Sequence, residues 1–383
     1  MAAFPRWSGP PEIWAFALAA LAPAVLILLA AAFGGWWVWL ALVWISLASP
    51  SADTIIARAF PDPEEGRATP GANALSVTLV GAHFIVLAAT LSALTDAWMG
   101  GWAGPGMGQV LGPWHKLGLF LAAGMFFGQV SNSNAHELIH RSTRGLFALG
   151  AAVFVSLLFG HHTSSHRLVH HLHVATDRDP NSARLGEGFW RFFPRAWFGS
   201  FRDGLAAERA LSARRAATGG ATGAAGQGRL NPYVIWVGGA VACMVGVALI
   251  WGGSGLAFYL ALSLYAQMQL MMSDYVQHYG LRRRQRADGR IEPVGPAHSW
   301  DAGHPLSSLM MVNAPRHSDH HAHPGRAYPD LRLARGTPPR PVLPYSLPLM
   351  AAIALVPPLW RRIMDRRVER MRRFADVLAE APV

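Results

Sequence analysis

The sequence predicts an all-α membrane protein: six transmembrane helices carrying a histidine-rich part on the cytoplasmic side. Three observations lead there. The 383 residues are 52% hydrophobic and only 14% charged, whereas an ordinary soluble domain has about a quarter charged residues. The apolar residues are clumped into almost uncharged runs, several of them long enough to cross a ~30 Å hydrocarbon core. The basic residues, which leave a formal net charge of +11, gather on particular loops. A chain this apolar is not disordered. Cys243 is the only cysteine, which excludes a disulfide-stapled fold. It also excludes an iron–sulfur cluster or rubredoxin module held by this chain, since those need four thiolates.

In chain order the expected spans are residues 13–32, 36–49, 74–94, 115–134, 233–251 and 256–273. The second is short and reads as the return arm of a hairpin with Gly34 and Gly35 at its tip; the fifth and sixth turn at Gly252 and Gly253. Residues 146–159 form an apolar run too short for a full span, expected as a buried or re-entrant helix. Residues 343–360 are apolar too, but Pro341, Pro344, Pro348, Pro357 and Pro358 oppose a straight span. That run is expected to pack on the membrane surface.

Lysine and arginine mark the cytoplasmic side. All but one of the 33 basic residues are arginines, and most lie in 135–232 or after Asp274. The 96–114 loop has none. Both termini and both arginine-rich regions are therefore expected in the cytoplasm. The organisation follows: 1–134 holds four spans in two hairpins, 135–232 is a cytoplasmic loop, 233–273 is a hairpin, and 274–383 is a cytoplasmic C-terminal region. Residues 218–228, rich in Gly, Ala and Thr, read as a flexible connector. The run after Arg6 shows no cleavage site, so no signal peptide is expected. The arginines flank spans and build no separate basic domain, so no nucleic acid is expected. The glycine pairs lie at hairpin tips, which leaves no dinucleotide fingerprint.

Most of the 17 histidines fall in 136–173 and 278–323. His136-Glu137-Leu138-Ile139-His140 follows directly on the fourth span, and residues i and i+4 share a helix face. His166-Arg167-Leu168-Val169-His170-His171 repeats that spacing with an added ring. His317-Ser318-Asp319-His320-His321 does so again, and His278 stands just beyond the sixth span. One isolated pair would mean little. The eight or nine histidines gathered at the edge of one membrane face exceed the four ligands of a single zinc site, which points to two metals of the kind imidazole suits. HELIH alone fits a zinc protease with Glu137 as base, but Thr143 and Leu146 stand where the extended pattern needs Gly and His. A transporter with histidine relays would place its histidines inside the spans, whereas these cluster at span ends.

Together these boxes resemble the membrane di-iron hydroxylase and desaturase superfamily, and within it the alkane 1-monooxygenase family. The resemblance runs from Asn134-Ala135-HELIH through Gly160-His161, His166, His170-His171 and Asp179-Pro180 to HYGL at 278–281, His298-Ser299-Trp300 and RHSDHHAHP at 316–324. Pro357-Pro358-Leu359-Trp360 and Met364-Asp365 continue it. It implies two non-haem irons held by His136, His140, His166, His170, His171, His278, His317, His320 and His321. With dioxygen as co-substrate, one oxygen atom enters a terminal C–H bond and the other leaves as water. The resemblance also implies a bacterial cytoplasmic (inner) membrane, an apolar substrate arriving from the bilayer, and electrons from rubredoxin, or a ferredoxin, with an NAD(P)H-dependent reductase.

Two motifs depart from that family, at three positions. Ser165 stands where a glutamate is usual, and Asp274 and Gln277 stand where the family usually reads Asn and Glu. The residues expected to orient the rings are Glu137, Asp179, Asp274, Gln277 and Asp319. By the same resemblance, Trp44 corresponds to a region that in the family lines the substrate tunnel. The departures bear on the substrate: medium- or long-chain alkanes first, with alkyl-aromatic methyl groups as the alternative and a fatty-acyl desaturase or hydroxylase after that.

Overall fold

A long uncharged run surrounded by lipid must satisfy every backbone N–H and C=O internally, and the α-helix does so within one segment. The computed structural model describes residues 11–56, 62, 69–97, 108, 110–217, 230–286, 288–333 and 340–380, and its elements are helical apart from two isolated β-bridges. Arg6 and the 218–228 connector lie outside the described residues.

Helix α1 (Ile13–Phe33) ends where Gly34 and Gly35 take φ of +61° and +56°, a left-handed backbone that glycine adopts without strain. The return arm is longer than its apolar run suggested. Helix α2 (Trp36–Val43) passes through a π-helical turn, Trp44–Ala48, into α3 (Ser49–Ile56). Asp53 does not stop it, because that carboxylate is fully buried and accepts from the backbone N–H groups of Leu306 and Ser307. It thereby caps α12 (Pro305–Met310).

Helix α4 (Ala72–Leu94) packs on α1. The fourth apolar run occupies α5 (Pro113–Phe126), a second π turn (Phe127–Ser131) and α6 (Asn132–Ile139), which ends in the first histidine box. Helix α7 (Arg144–Ser156) folds back on α6 with its second half buried, as the short apolar run predicted. Next come α8 (His162–Ser165), a third π turn (His166–His170), α9 (His171–His173) and the long α10 (Phe189–Ala217).

The stretch α11 (Pro232–His278) is interrupted at Gly252, with φ +68° and ψ −167°. The side chains of Cys243 and Tyr259 lie beside each other across this break. A straight helix would hold positions so spaced about 24 Å apart, so the two arms fold back on each other. Helices α13 (His317–Ala322), α14 (Leu347–Ala354) and α15 (Pro357–Glu380) complete the chain.

Four helical stretches among the described residues are long and apolar enough to cross a membrane: Ile13–Phe33, Trp36–Ile55, Ala72–Leu94 and Pro232–His278. Residues 115–134 are divided by the π turn between α5 and α6. Outward-facing Leu18, Ile85 and Leu249 are exposed, as lipid contact would require. The proline-rich 343–360 run does not simply lie on a surface: Leu347, Met350, Ala354 and Trp360 are buried, and α14 packs against α11. The prolines divide the run between short α14 and the start of the longer α15, and each can then turn an apolar side inward.

Candidate metal centre

The structure brings the nine histidines into two groups. His136, His140, His166, His171 and His320 form one; His170, His278, His317 and His321 form the other, and within each group the candidate ligand atoms lie within 4.8 Å of one another. The adjacent pairs are split between the groups. Neighbouring residues on a helix point about 100° apart, so His170-His171 and His320-His321 each serve both sides.

The second box differs from the i,i+4 expectation. His166–His170 is a π-helical turn, whose wider winding brings positions i and i+5 into line. His171 therefore meets His166, Nε2 to Nε2 at 3.0 Å, and His170 turns to the other group. In α13 the ordinary spacing holds: His321 and His317 approach at 3.1 Å, while His320 reaches His171 at 3.2 Å. His278 meets His317 at 3.0 Å.

These separations suit ligands about 2.1 Å from one ion and roughly at right angles. A second observation supports the fit. The Nε2 atoms of His136, His140 and His170 are buried without a hydrogen-bond partner, which is costly unless something else satisfies them. Burial, and then the neighbouring His170, hold the His136 imidazole at about 3. Burial likewise holds His140, His166, His171, His317, His320 and His321 well below the ordinary histidine range. These rings are thus neutral at physiological pH, the state a metal needs; at His170 burial is outweighed by Asp179, which holds that imidazole above the ordinary histidine value. The two histidine groups can hold metal ions.

Asp179 lies behind one of the rings. His170 donates from Nδ1 to its Oδ2 at 2.9 Å, which leaves Nε2 free. Ser182 donates to the same oxygen and the Asn181 N–H to the other. Burial raises the Asp179 carboxyl, but His170 and Ser182 bring it below the usual carboxylate value. Asp274 joins this network at one remove, accepting from Asn181 Nδ2 at 2.7 Å.

The other expected partners do different work. Glu137 pairs with Arg141 at 2.6 Å and accepts from the Tyr328 N–H; burial, partly offset by Arg141, raises it to about 7. Asp319 binds Arg326, His323 and the Arg332 N–H, away from the nine ligating candidates. Gln277 donates to the Ala314 carbonyl and accepts from Ser273. Ser165 donates only to the His162 carbonyl, and a Cβ on Gly204 of α10 would come within 2.9 Å of its Cβ. That packing suits a small side chain.

Two orienting groups escaped the sequence reading. Asp301 is fully buried and accepts from both the N–H and the Oγ of Ser318, in the first turn of α13. It satisfies helix donors that the short helix leaves open, and burial raises its carboxyl to about 7. His278 donates from Nδ1 to the His298 carbonyl at 3.3 Å. No spacing rule joins residues 301 and 318. The adjoining His298-Ser299-Trp300 run was the one signal near them.

A cavity of about 190 Å³ opens beside the histidines. It reaches His136 of one group and His317 of the other, and is otherwise walled largely by apolar residues of α5, α11 and α14, such as Met125, Met268, Leu347 and Ala351. His162, outside both groups, also lines it and has a buried Nδ1 without a partner. Trp44 is half-buried in the first π turn and does not line this cavity.

Residues 111–373 match the fatty acid desaturase family. The chain is 32% identical to alkane 1-monooxygenase 2 of Alcanivorax borkumensis over 254 residues, 66% of this chain and 64% of that protein. It therefore spans just under two thirds of that relative's length. It is 30% identical to alkane 1-monooxygenase 2 of Pseudomonas aeruginosa over 334 residues, 87% of this chain and 84% of that protein. A more distant match, 23% over 257 residues, covers 65% of this chain and 63% of the xylene/toluene monooxygenase hydroxylase component of Pseudomonas putida.

Proposed function

We propose, from the premise that the chain belongs to the fatty acid desaturase family and to the alkane 1-monooxygenases within it, that it hydroxylates terminal methyl groups of apolar substrates at a di-iron centre. The observation that carries this is a largely apolar cavity touching both histidine groups at once. A substrate without polar handles can be placed only by shape and exclusion of water. A cavity wall shared by both groups would put its end beside both metals that they could hold.

His136, His140, His166, His171 and His320 would hold one iron, and His170, His278, His317 and His321 the other. The pair would supply the activation of dioxygen and of the terminal C–H bond. The chain itself does the positioning. Asp179 fixes the tautomer of His170, so that Nε2 faces the ion. Asp301 holds the first turn of α13 and with it three histidines, and the His298 carbonyl fixes the ring of His278. The methionine and leucine walls keep water from the reacting end.

Each turnover needs two electrons, and the chain has one cysteine and no dinucleotide fingerprint. A separate carrier is part of the reading: rubredoxin first, a ferredoxin second, each with an NAD(P)H-dependent reductase. The protein would lie in a bacterial inner membrane with termini and metals cytoplasmic, supported by arginines at 135–232 and after Asp274. The leading substrates are medium- and long-chain alkanes. A specific observation favours alkyl-aromatic methyl groups as the second reading: Asp274 and Gln277 both line the cavity, and a xylene/toluene enzyme component is among the relatives.

The test is direct. The purified protein should carry two irons per chain, and cells expressing it with a rubredoxin system should turn octane into 1-octanol. Zinc in place of iron, or an alkene in place of an alcohol, overturns the reading. Feeding octane and p-xylene separately decides between the substrate classes.

A further inference from the structure

We infer that Gly128 and Gln269 together set the bore of the cavity, and so decide how wide a hydrocarbon reaches the metals. The inference rests on the proposed hydroxylase reading. Gly128 lies in the π turn Phe127–Ser131, and both residues line the cavity. The amide of Gln269, from the second arm of α11, fills the place a side chain on residue 128 would take. A Cβ there would collide with Gln269 Cδ and lie 2.5 Å from its Nε2 and 2.6 Å from its Oε1. The amide is moored one turn back, where Nε2 donates to the Gly124 carbonyl at 2.8 Å. Gly124 itself accommodates the Tyr265 ring, whose Cε1 would be 2.6 Å from an added Cβ. Two glycines at i and i+4 on α5 and its π turn thus let two large side chains of α11 lie close to the backbone.

The consequence is a wall whose position depends on one flexible amide. A methyl group on residue 128 would displace the end of Gln269, which already borders the cavity, and narrow the bore. Removing the amide would widen it at little local cost, because the Gly124 carbonyl also accepts the Phe127 N–H. Ala351 on α14 lines the cavity independently of this pair. A larger side chain there would narrow it from a different helix. An apolar cavity of ~150 Å³ is enough to hold a benzene ring. At about 190 Å³ this cavity is close to the size at which a ring and a slimmer alkyl chain are told apart.

The experiment compares n-octane with p-xylene in G128A, Q269A, the double variant and A351V, in nanodiscs of one lipid composition. Two readouts are taken: the ratio of kcat/KM for the two hydrocarbons, and their equilibrium uptake relative to protein-free discs. G128A and A351V should move the ratio toward octane by about tenfold, the order of effect of one methylene in an apolar pocket. Q269A should move it toward p-xylene, and G128A/Q269A should return it near the wild-type value. Ratios within twofold of wild type in G128A, Q269A and A351V overturn the inference, as does a double variant that keeps the G128A shift. If the glycine variant loses its metal through misfolding, Q269A and A351V decide. If the wild type hydroxylates neither hydrocarbon, the hydroxylase reading fails, while the uptake ratios still test the bore.

Discussion

The two histidine groups are built by different means. In the group of His170, His278, His317 and His321 all four rings are buried. Three of them are tied from behind: His170 by Asp179, His278 by the His298 carbonyl, and His317 through the first turn of α13 that Asp301 holds. In the group of five, His136, His140 and His171 are only half-buried, and among the described residues no carboxylate is hydrogen bonded to a ring. Those rings support one another: His136 packs on His166 and on His320 with centroids 4.4 Å apart, and His140 on His171 at 4.5 Å. One site is held by a polar scaffold, the other by mutual packing and by number. A scaffolded site depends on each of its few members, whereas a packed site with a spare donor tolerates a loss.

The largest expected effect breaks that comparison if it fails. His278→Ala leaves three donors in the smaller group and should remove its metal, taking the metal content from two per chain toward one and abolishing turnover. His140→Ala leaves four donors in the larger group and should retain most of its metal. Elemental analysis of both purified variants reads the difference. Equal losses would mean that the groups do not differ in tolerance.

Next comes the scaffold itself. Asp179→Asn keeps the shape of the side chain but removes the charge that His170 Nδ1 and Ser182 both address. Losses of such outer hydrogen bonds typically weaken metal binding about 10–100-fold. The loss should fall on the smaller group alone, visible as one weakened step in a metal titration. Asp301→Asn should act more weakly, on the order of a lost helix cap. Because α13 carries His317 and His321 of one group and His320 of the other, it should weaken both steps together. One step moving alone in Asp301→Asn would show that α13 keeps its place without this carboxylate.

Which of these features the sequence announces follows from how local each one is. The nine histidines and the apolar runs are local patterns, and the boxes at 136–140, 166–171 and 317–321 are legible from spacing alone. The division of rings between groups is not. It depends on the π turn at His166–His170, which moves the partner of His166 from position 170 to 171 without leaving any mark in the spacing. Asp301 is silent for a related reason, since its partner Ser318 is brought to it by the path of the chain. Glu137 and Asp319 misled because a carboxylate beside a histidine in sequence points elsewhere on a helix. Each found an arginine instead.

The smallest expected effect concerns the tunnel. The family resemblance implies a tunnel-lining place for Trp44, while the cavity beside His136 and His317 is bordered by Gly128, Gln269 and α14. Trp44 lies in a different π turn, between α2 and α3, half-buried. Trp44→Ala should therefore change the octane-to-xylene ratio by less than about twofold, beside the roughly tenfold shift expected at residue 128 for one added methyl group. A large shift in Trp44→Ala with none in G128A would move the substrate path to the α1–α2 hairpin. The two π turns would then exchange roles, one shaping the protein and the other its selectivity.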